Sequence, residues 1–151
     1  MRIAALTSSL LTAVLALSTA SSAIAAPDAA LAKAAKEKGA VVTPSGLVYL
    51  SLKDGTGASP SGTDTVKVHY RGTLPDGKEF DSSYKRNAPA EFPLNRVIPC
   101  WTEGVQRIKV GGKAKLTCPS AIAYGERGAG DLIPPNATLL FEVELLSIAG
   151  K

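Results

Sequence analysis

TVKVHYRGTLPDGKEFDSS, residues 65–83, is the stretch that decides the fold. Its first part alternates, with Val66, Val68 and Tyr70 on one face of an extended chain and polar side chains between them. Such alternation is typical of a strand that buries one face and leaves the other in water. A Pro-Asp-Gly turn follows at 75–77, and the next apolar side chain belongs to the returning strand. The stretch therefore predicts two antiparallel strands joined by a turn.

The rest of the chain repeats this strand pattern and adds one helix. Further strands are predicted at 47–52, 113–118 and 138–146. Helical spacing occurs in one segment, where Trp101, Val105 and Ile108 are four and three residues apart. A helix of about two turns is marginal alone, so the sheet must hold it, with Trp101 as the main contact. The pattern thus predicts an antiparallel sheet packed against one short helix.

Residues 1–25 have the composition of a signal peptide and are not expected to belong to the fold. Arg2 supplies a basic start, and residues 3–20 carry no charge. Ala23 and Ala25 fit the small-residue rule for signal peptidase, so cleavage is expected after Ala25. A retained membrane anchor is the alternative, but the apolar centre is short and diluted by Ser, Thr and Ala. No membrane anchor is expected in the exported protein.

The remaining chain divides into an Ala- and Lys-rich arm, 26–43, and a folded domain, 44–151. A short helix in the arm would have little to bury, so the arm is predicted to be a tether. An arm that binds a partner is the alternative. The arm is also too short and too rich in Ala for a stable dimer helix, which favours a monomer.

The composition argues against several classes of function. Lys and Arg are spread along the chain rather than clustered, which argues against a nucleic-acid groove. The chain has one His, which disfavours the usual His-based catalytic and metal sites. His69 lies on the strand face opposite Tyr70, and Ser82-Ser83 has no base nearby, so a hydrolase is not favoured. No metal and no cofactor are expected.

The two Cys residues leave two interpretations open. Cys118 faces inward by alternation and Cys100 adjoins the predicted helix, so both could be buried free thiols. An exported chain meets an oxidising environment, in which the pair could instead form a disulfide. The sequence does not show the distance between them, and geometry decides. A redox-active pair is not favoured because the chain has no C-x-x-C motif.

Five ordered motifs give a resemblance to a known family. They are VHYRG at 68–72, DGKEFDSS at 76–83, VIPCWTEG at 97–104, AYG at 123–125 and IPPNATLLFEVEL at 133–145. In this order and spacing they resemble the FKBP-type peptidyl-prolyl cis/trans isomerases, from about Ser45 to Ile148. The signal peptide and the short arm are similar to those of small periplasmic members in bacteria. The resemblance therefore implies a location in the periplasm.

The resemblance implies an α+β fold, a twisted antiparallel β-sheet wrapped around one short α-helix, and the strand and helix pattern agrees with it. It also implies an enzyme that accelerates rotation about X-Pro bonds in folding exported proteins. Its partners would be proline-containing polypeptides, and tacrolimus-type macrolides would be inhibitors. The alternative is a chaperone-like binding module for apolar proline-containing segments, with little catalysis. Ala90 motivates it, because many family members carry a large residue there and a small one would open the cleft.

Position in the motifs also implies which residues form the site. Trp101 would form the floor of a pocket, and Tyr70, Asp81 and Tyr124 would make the catalytic contacts. The other substrate-binding residues would be Phe80, Phe92, Val97, Ile98, Ile133 and Phe141. Six of the eight aromatic side chains of the chain fall on these positions. Asp81 has two interpretations, as a group that faces the pocket or as a structural partner of the following turn and of Arg86.

Overall fold

The computed structural model describes residues 28–151, so the expected signal peptide at 1–25 lies outside the described part. The strands are β1 Val41–Val42, β2 Val48–Lys53, β3 Thr65–Thr73, β4 Glu79–Ser82, β5 Ala90–Pro93, β6 Lys113–Cys118 and β7 Leu139–Ile148. The helices are α1 Ala29–Ala35 and α2 Pro99–Val105, with 3₁₀ turns at Leu94–Arg96, Ser120–Ile122 and Gly125–Arg127. Within the described part, no helix has both the length and the apolar character needed to cross a membrane.

All seven strands join one antiparallel sheet, in the order β1-β2-β6-β7-β3-β4, with β5 also paired to β3. β3 is the central element, because β7 pairs with one edge along most of its length and β4 and β5 share the other. Val66, Val68 and Tyr70 of β3 point into the core as predicted, and none exposes more than 5% of its surface. β3 therefore anchors the core and carries Tyr70 into it.

α2 packs on the core face of the sheet, against β6. Pro99 opens the helix at a position that needs no backbone N–H, and Trp101 is 4% exposed. At Gly104 an added Cβ would lie 2.8 Å from the methyl groups of Leu116, so helix and sheet approach as closely as glycine allows. Ile108 joins the core from the turn that follows the helix. The predicted α+β fold, an antiparallel sheet around one short core helix, is confirmed.

A disulfide joins Cys100 and Cys118 in the structure. Their Cα atoms are 5.9 Å apart, which lies within the usual range for a bridged pair. Both residues are fully buried. The bridge ties the first turn of α2 to the end of β6, and so holds the helix immediately beside Trp101.

The arm was predicted to be a tether, but its described part, residues 28–43, is attached to the sheet. The Asp28 carboxylate caps α1 by accepting a backbone hydrogen bond at 2.9 Å, and α1 packs against β6. Glu37 pairs with Lys115 of β6 at 2.7 Å. β1 then adds residues 41–42 to the edge of the sheet. Small Ala side chains let the helix approach the sheet, and these polar contacts, which no hydrophobic pattern shows, hold it there.

Candidate functional site

A cleft of about 470 Å³ opens between the core face of the sheet, α2 and the segment that follows β6. Its walls come from β3, β4, β5 and β7, and α2 supplies its floor. The lining residues are Tyr70, Phe80, Asp81, Phe92, Arg96, Val97, Ile98, Trp101, Tyr124 and Phe141. Most of these side chains are apolar, with a few polar groups among them, which is the usual character of a site for a small molecule or a short peptide segment.

Trp101 lies at the centre of the aromatic side chains. Its ring centroid is 5.1 Å from that of Tyr70, 5.5 Å from that of Phe92 and 5.4 Å from that of Phe141. The interplanar angles are 86°, 88° and 86°, so these rings stand edge-on to the indole. Edge-to-face pairs are each favourable by about 0.5–1.5 kcal/mol beyond their burial. The indole therefore forms a flat floor, and the other rings form upright walls.

Phe80 completes this wall because a glycine lies behind it. The ring centroids of Phe80 and Phe141 are 5.5 Å apart, with an interplanar angle of 89°. A Cβ added at Gly72 of β3 would lie 2.5 Å from the Phe80 ring and 2.9 Å from the Phe141 ring. Ordinary carbon contacts are about 3.5–4.0 Å, so only glycine lets both rings lie against the strand. The backbone of β3 thus sets the position of the wall.

One carboxylate forms the acidic side of the cleft. Asp81 accepts hydrogen bonds from the Tyr70 hydroxyl, from Arg86 at 2.7 Å and from the Ser82 backbone N–H at 2.9 Å. Arg86 also donates to the Tyr70 hydroxyl at 2.9 Å. Asp81 therefore lines the cleft and at the same time holds Tyr70 and the turn after β4 in place.

Hydrogen bonding and burial set the protonation states in the cleft. Burial disfavours the charged form of Asp81, but the hydrogen bonds from Tyr70 and Arg86 outweigh it and lower the pKa of this carboxyl. Burial, followed by the hydrogen bond to Asp81, raises the pKa of Tyr70. Burial and the charge of Asp81 raise the pKa of Tyr124. A carboxylate with a lowered pKa is a weak base, so the cleft is suited to hydrogen bonding rather than to proton transfer.

Three donors around the cleft have no hydrogen-bond partner within residues 28–151. The Tyr124 hydroxyl belongs to a residue that is 41% exposed at the rim. The Ile98 backbone N–H, directly before α2, donates to no acceptor. The buried indole N–H of Trp101 also lacks a partner. Unpaired donors beside an apolar cleft are suited to a ligand that brings carbonyl oxygens.

The structure brings together nine of the ten residues predicted for the site. Ile133 is the exception, because it is 6% exposed in the core and does not line the cleft. Its backbone pairs with Ala129 within the loop at 2.9 and 3.1 Å. The sequence motifs did not indicate Arg96, which does line the cleft. Its position directly before Val97 was the signal that could have found it.

His69 and Ser83 lie outside the cleft, and the expectation that no base lies near Ser82-Ser83 is wrong, because His69 contacts the Ser83 hydroxyl. His69 Nδ1 is 2.9 Å from the Ser83 hydroxyl, and its ring stacks on Tyr84 with centroids 4.7 Å apart. The Ser83 hydroxyl oxygen also accepts from the Tyr70 backbone N–H at 2.7 Å. These contacts fasten β3 to the turn after β4, behind the residues that line the cleft.

Known proteins are similar in sequence to the part of this chain that forms the cleft. The family model described as "FKBP-type peptidyl-prolyl cis-trans isomerase" matches residues 57–146. The FKBP-type peptidyl-prolyl cis-trans isomerase FkpA of Aeromonas hydrophila is 61% identical over 118 residues, which are 78% of this chain and 44% of that protein. The FKBP-type 22 kDa peptidyl-prolyl cis-trans isomerase of Escherichia coli K12 is 55% identical over 114 residues, 76% of this chain and 55% of that protein. The chain spans about half the length of these curated relatives.

Solved structures show the same fold. The crystal structure of FkpA from Escherichia coli superposes with a TM-score of 0.76 at 53% identity, covering 78% of this chain and 55% of that one. A peptidyl-prolyl cis-trans isomerase from Pseudomonas syringae gives a TM-score of 0.74 at 40% identity, covering 80% of this chain and 88% of that one. The family match at 57–146 contains every residue that lines the cleft. This chain therefore belongs to the FKBP-type peptidyl-prolyl cis-trans isomerase family.

Proposed function

We propose that this chain is a peptidyl-prolyl cis/trans isomerase, which accelerates rotation about X-Pro bonds in proline-containing polypeptides. The observation that carries the proposal is the aromatic cleft, with its indole floor and upright ring walls. A proline ring is compact and apolar, and it fits a slot of this kind between aromatic faces. Membership of the family supports the same activity.

The chemistry that the cleft must perform is the twisting of an amide. Rotation about a peptide C–N bond faces a barrier of about 18–20 kcal/mol, because resonance holds the amide planar. The twisted transition state has lost this resonance and is less polar along the C–N bond. An apolar cleft therefore favours the twisted amide over the planar amide, which water solvates better. A proline ring held on Trp101 would fix one side of the bond while the other side turns.

The polar groups would orient the rotating part of the substrate. The Tyr124 hydroxyl or the Ile98 N–H would bind the carbonyl oxygen of a substrate residue near the proline. Asp81 would keep the Tyr70 hydroxyl in place at the side of the cleft. Each contact that is stronger by about 1.4 kcal/mol in the twisted state gives a tenfold acceleration. The proposed mechanism is differential binding, and it uses no covalent intermediate and no proton transfer.

An assay of cis/trans exchange in a proline-containing tetrapeptide tests the proposal. The wild-type protein should accelerate exchange, and Tyr70→Phe and Asp81→Asn should each lower kcat/KM about tenfold, because hydrogen bonds to charged groups are lost. Tyr84→Phe is a matched control, because this hydroxyl lies outside the cleft. A wild-type exchange rate equal to the uncatalysed rate would contradict the proposal.

We further propose export to the periplasm, with cleavage after Ala25. The basic Arg2, the uncharged run at 3–20 and the small residues at Ala23 and Ala25 support it. Protein recovered from the periplasmic fraction should have the mass of a chain that begins at Ala26. A mass that still includes residues 1–25 would count against the cleavage. The substrates would then be exported polypeptides during folding.

Two finer proposals concern ligands and assembly. Macrolides of the tacrolimus type should compete with proline peptides, because they would occupy the same aromatic cleft. The protein should be a monomer, since α1 is packed on the sheet of its own chain. Competition in the exchange assay and sedimentation equilibrium test these two points separately.

A binding module with little catalysis is the second candidate. Leu132 is 51% exposed in the same loop segment as the exposed Tyr124, so apolar surface extends beyond the cleft. Such a surface suits the capture of unfolded segments. If the protein suppresses aggregation of a proline-poor client, and Tyr70→Phe does so equally well, binding outside the cleft is favoured over catalysis as the main function.

A further inference from the structure

Among the described residues, Arg96 is the one cationic side chain that lines the cleft. It ends the 3₁₀ turn Leu94–Arg96, directly before Val97 and Ile98, which line the cleft as well. The motifs did not indicate it, and the proposed mechanism of rotation does not use it. The rotation mechanism therefore assigns no role to its charge.

The turn that carries Arg96 is fastened from two sides. Leu94 is fully buried, and its backbone N–H donates to the Asp64 carbonyl at 2.9 Å. Its own carbonyl accepts a hydrogen bond from the Thr102 hydroxyl of α2 at 2.6 Å. Because α2 also carries the floor of the cleft, the backbone of Arg96 is held at a fixed place relative to Trp101. The fold thus places the backbone of Arg96 beside the cleft, and no ion pair with a described residue holds its guanidinium.

The charges around the cleft do not cancel. Asp81 is the one carboxylate among the lining residues, and Arg86 pairs with it at 2.7 Å. Arg96 has no ion-pair partner among the described residues. A substrate with an acidic side chain would therefore meet an unpaired guanidinium. A substrate with a basic side chain would meet a carboxylate that Arg86 has already neutralised.

We infer that Arg96 is a specificity-determining residue, which favours substrates with an Asp or Glu side chain next to the proline. The inference rests on the proposed isomerase function. A guanidinium is the cation best suited to a carboxylate, because it can donate two parallel hydrogen bonds. Arg96 is exposed, so water and salt weaken the attraction, and the preference is about two- to fivefold at low ionic strength. It decreases as salt screens the pair.

A set of matched peptides tests this assignment. Two series of blocked tetrapeptides carry Glu, Gln or Lys, one series at the residue before proline and one at the residue after it. Exchange NMR gives kcat/KM for each peptide, and quenching of Trp101, the one Trp of the chain, gives Kd independently of catalysis. The variants are Arg96→Gln, Arg96→Glu and Arg96→Lys. Arg107→Gln is the matched control, because it removes an exposed cation that does not line the cleft.

The wild-type protein should favour Glu over Lys about two- to fivefold in one of the two series at low salt. Arg96→Gln should remove the preference, Arg96→Glu should reverse it, Arg96→Lys should keep part of it, and Arg107→Gln should leave it unchanged. Equal values for Glu and Lys in both series, or a preference that survives in Arg96→Gln, would overturn the assignment.

The two readouts separate this inference from the proposed function. If all peptides are isomerised at equal rates and bound equally, the assignment of Arg96 is refuted and the isomerase proposal stands. If no peptide is isomerised but the Glu peptides bind more tightly through Arg96, the isomerase proposal is refuted and the charge recognition stands.

Discussion

Gly72→Ala adds a single methyl group and tests how the wall of the cleft is packed. The new Cβ would lie 2.5 Å and 2.7 Å from two atoms of the Phe80 ring and 2.9 Å from the Phe141 ring. Ordinary contacts are about 3.5–4.0 Å, so the rings must retreat by about 1 Å. Phe141 contacts the indole of Trp101 with centroids 5.4 Å apart, so its movement also disturbs the floor.

The expected losses of stability and of kcat/KM follow from this overpacking. Inserting a methyl group into packed side chains costs about 1–3 kcal/mol of stability. Replacing Gly by Ala also restricts the unfolded chain, which returns about 0.4–1 kcal/mol. We therefore expect Gly72→Ala to lower the free energy of unfolding by about 1–2 kcal/mol. A displacement of about 1 Å in a positioning surface can cost up to about a hundredfold, and we expect kcat/KM to fall ten- to a hundredfold.

Urea unfolding and exchange NMR measure the two effects on the same protein. Gly62→Ala is the matched control, because its Cβ would meet only the flexible side chain of Gln106, at 3.3 Å. This control should keep its activity and lose no stability. If Gly72→Ala has the stability and the kcat/KM of the wild type, then Phe80 and Phe141 are not packed against β3 as described.

Three further predictions concern the disulfide and pH. Reduction of the Cys100–Cys118 bridge, whose ends are 18 residues apart, should lower the free energy of unfolding by about 3 kcal/mol, measured by urea unfolding with and without reductant. The double variant C100A/C118A should not respond to reductant, and a wild type that is equally indifferent would show that the bond is absent in solution. Because hydrogen bonds lower the pKa of Asp81 in the folded state, the unfolded chain takes up the proton first as pH falls. Stability should therefore be lost below about pH 4, more steeply in the wild type than in Asp81→Asn, and equal slopes would argue against the paired carboxylate. Across neutral pH, Asp81 stays ionised and Tyr70 protonated, so kcat/KM should be flat, whereas a bell-shaped profile would indicate a general base.

The sequence predicted the elements that depend on hydrophobic period. Val66, Val68 and Tyr70 face inward because a strand turns every second side chain to the same side. Trp101 is buried on α2 because the helix packs this side chain onto the sheet. Hydrophobic periodicity cannot show whether aromatic side chains fill a core or surround a cleft. The family motifs indicated that they surround a cleft.

Other features depend on distances between residues, which the pattern of residue types along the sequence does not show. Ile133 lies in the core and not in the cleft, and its backbone pairs with that of Ala129 within the same loop. Arg96 reaches the cleft because Leu94 and Thr102 fasten its turn. The first contact lies within one loop, the second joins residues eight positions apart, and neither follows from hydrophobic periodicity.

The arm shows the same limit. Asp28 caps its helix, but the attachment of that helix to the sheet through Glu37 and Lys115 joins residues far apart in the chain. An Ala-rich surface helix has a weak hydrophobic signal, so the sequence gives no sign of which face is covered.

In the proposed mechanism, a proline ring binds on the indole of Trp101 while its peptide bond rotates. The most direct measurement is a set of intermolecular NOEs between the proline ring protons of a bound peptide and the side chains of the protein. We expect NOEs from the proline ring to the Trp101 indole and to Phe92 and Phe141, and none to Tyr84 outside the cleft. A peptide whose isomerisation the protein accelerates, but whose proline shows no NOE to Trp101, would contradict it.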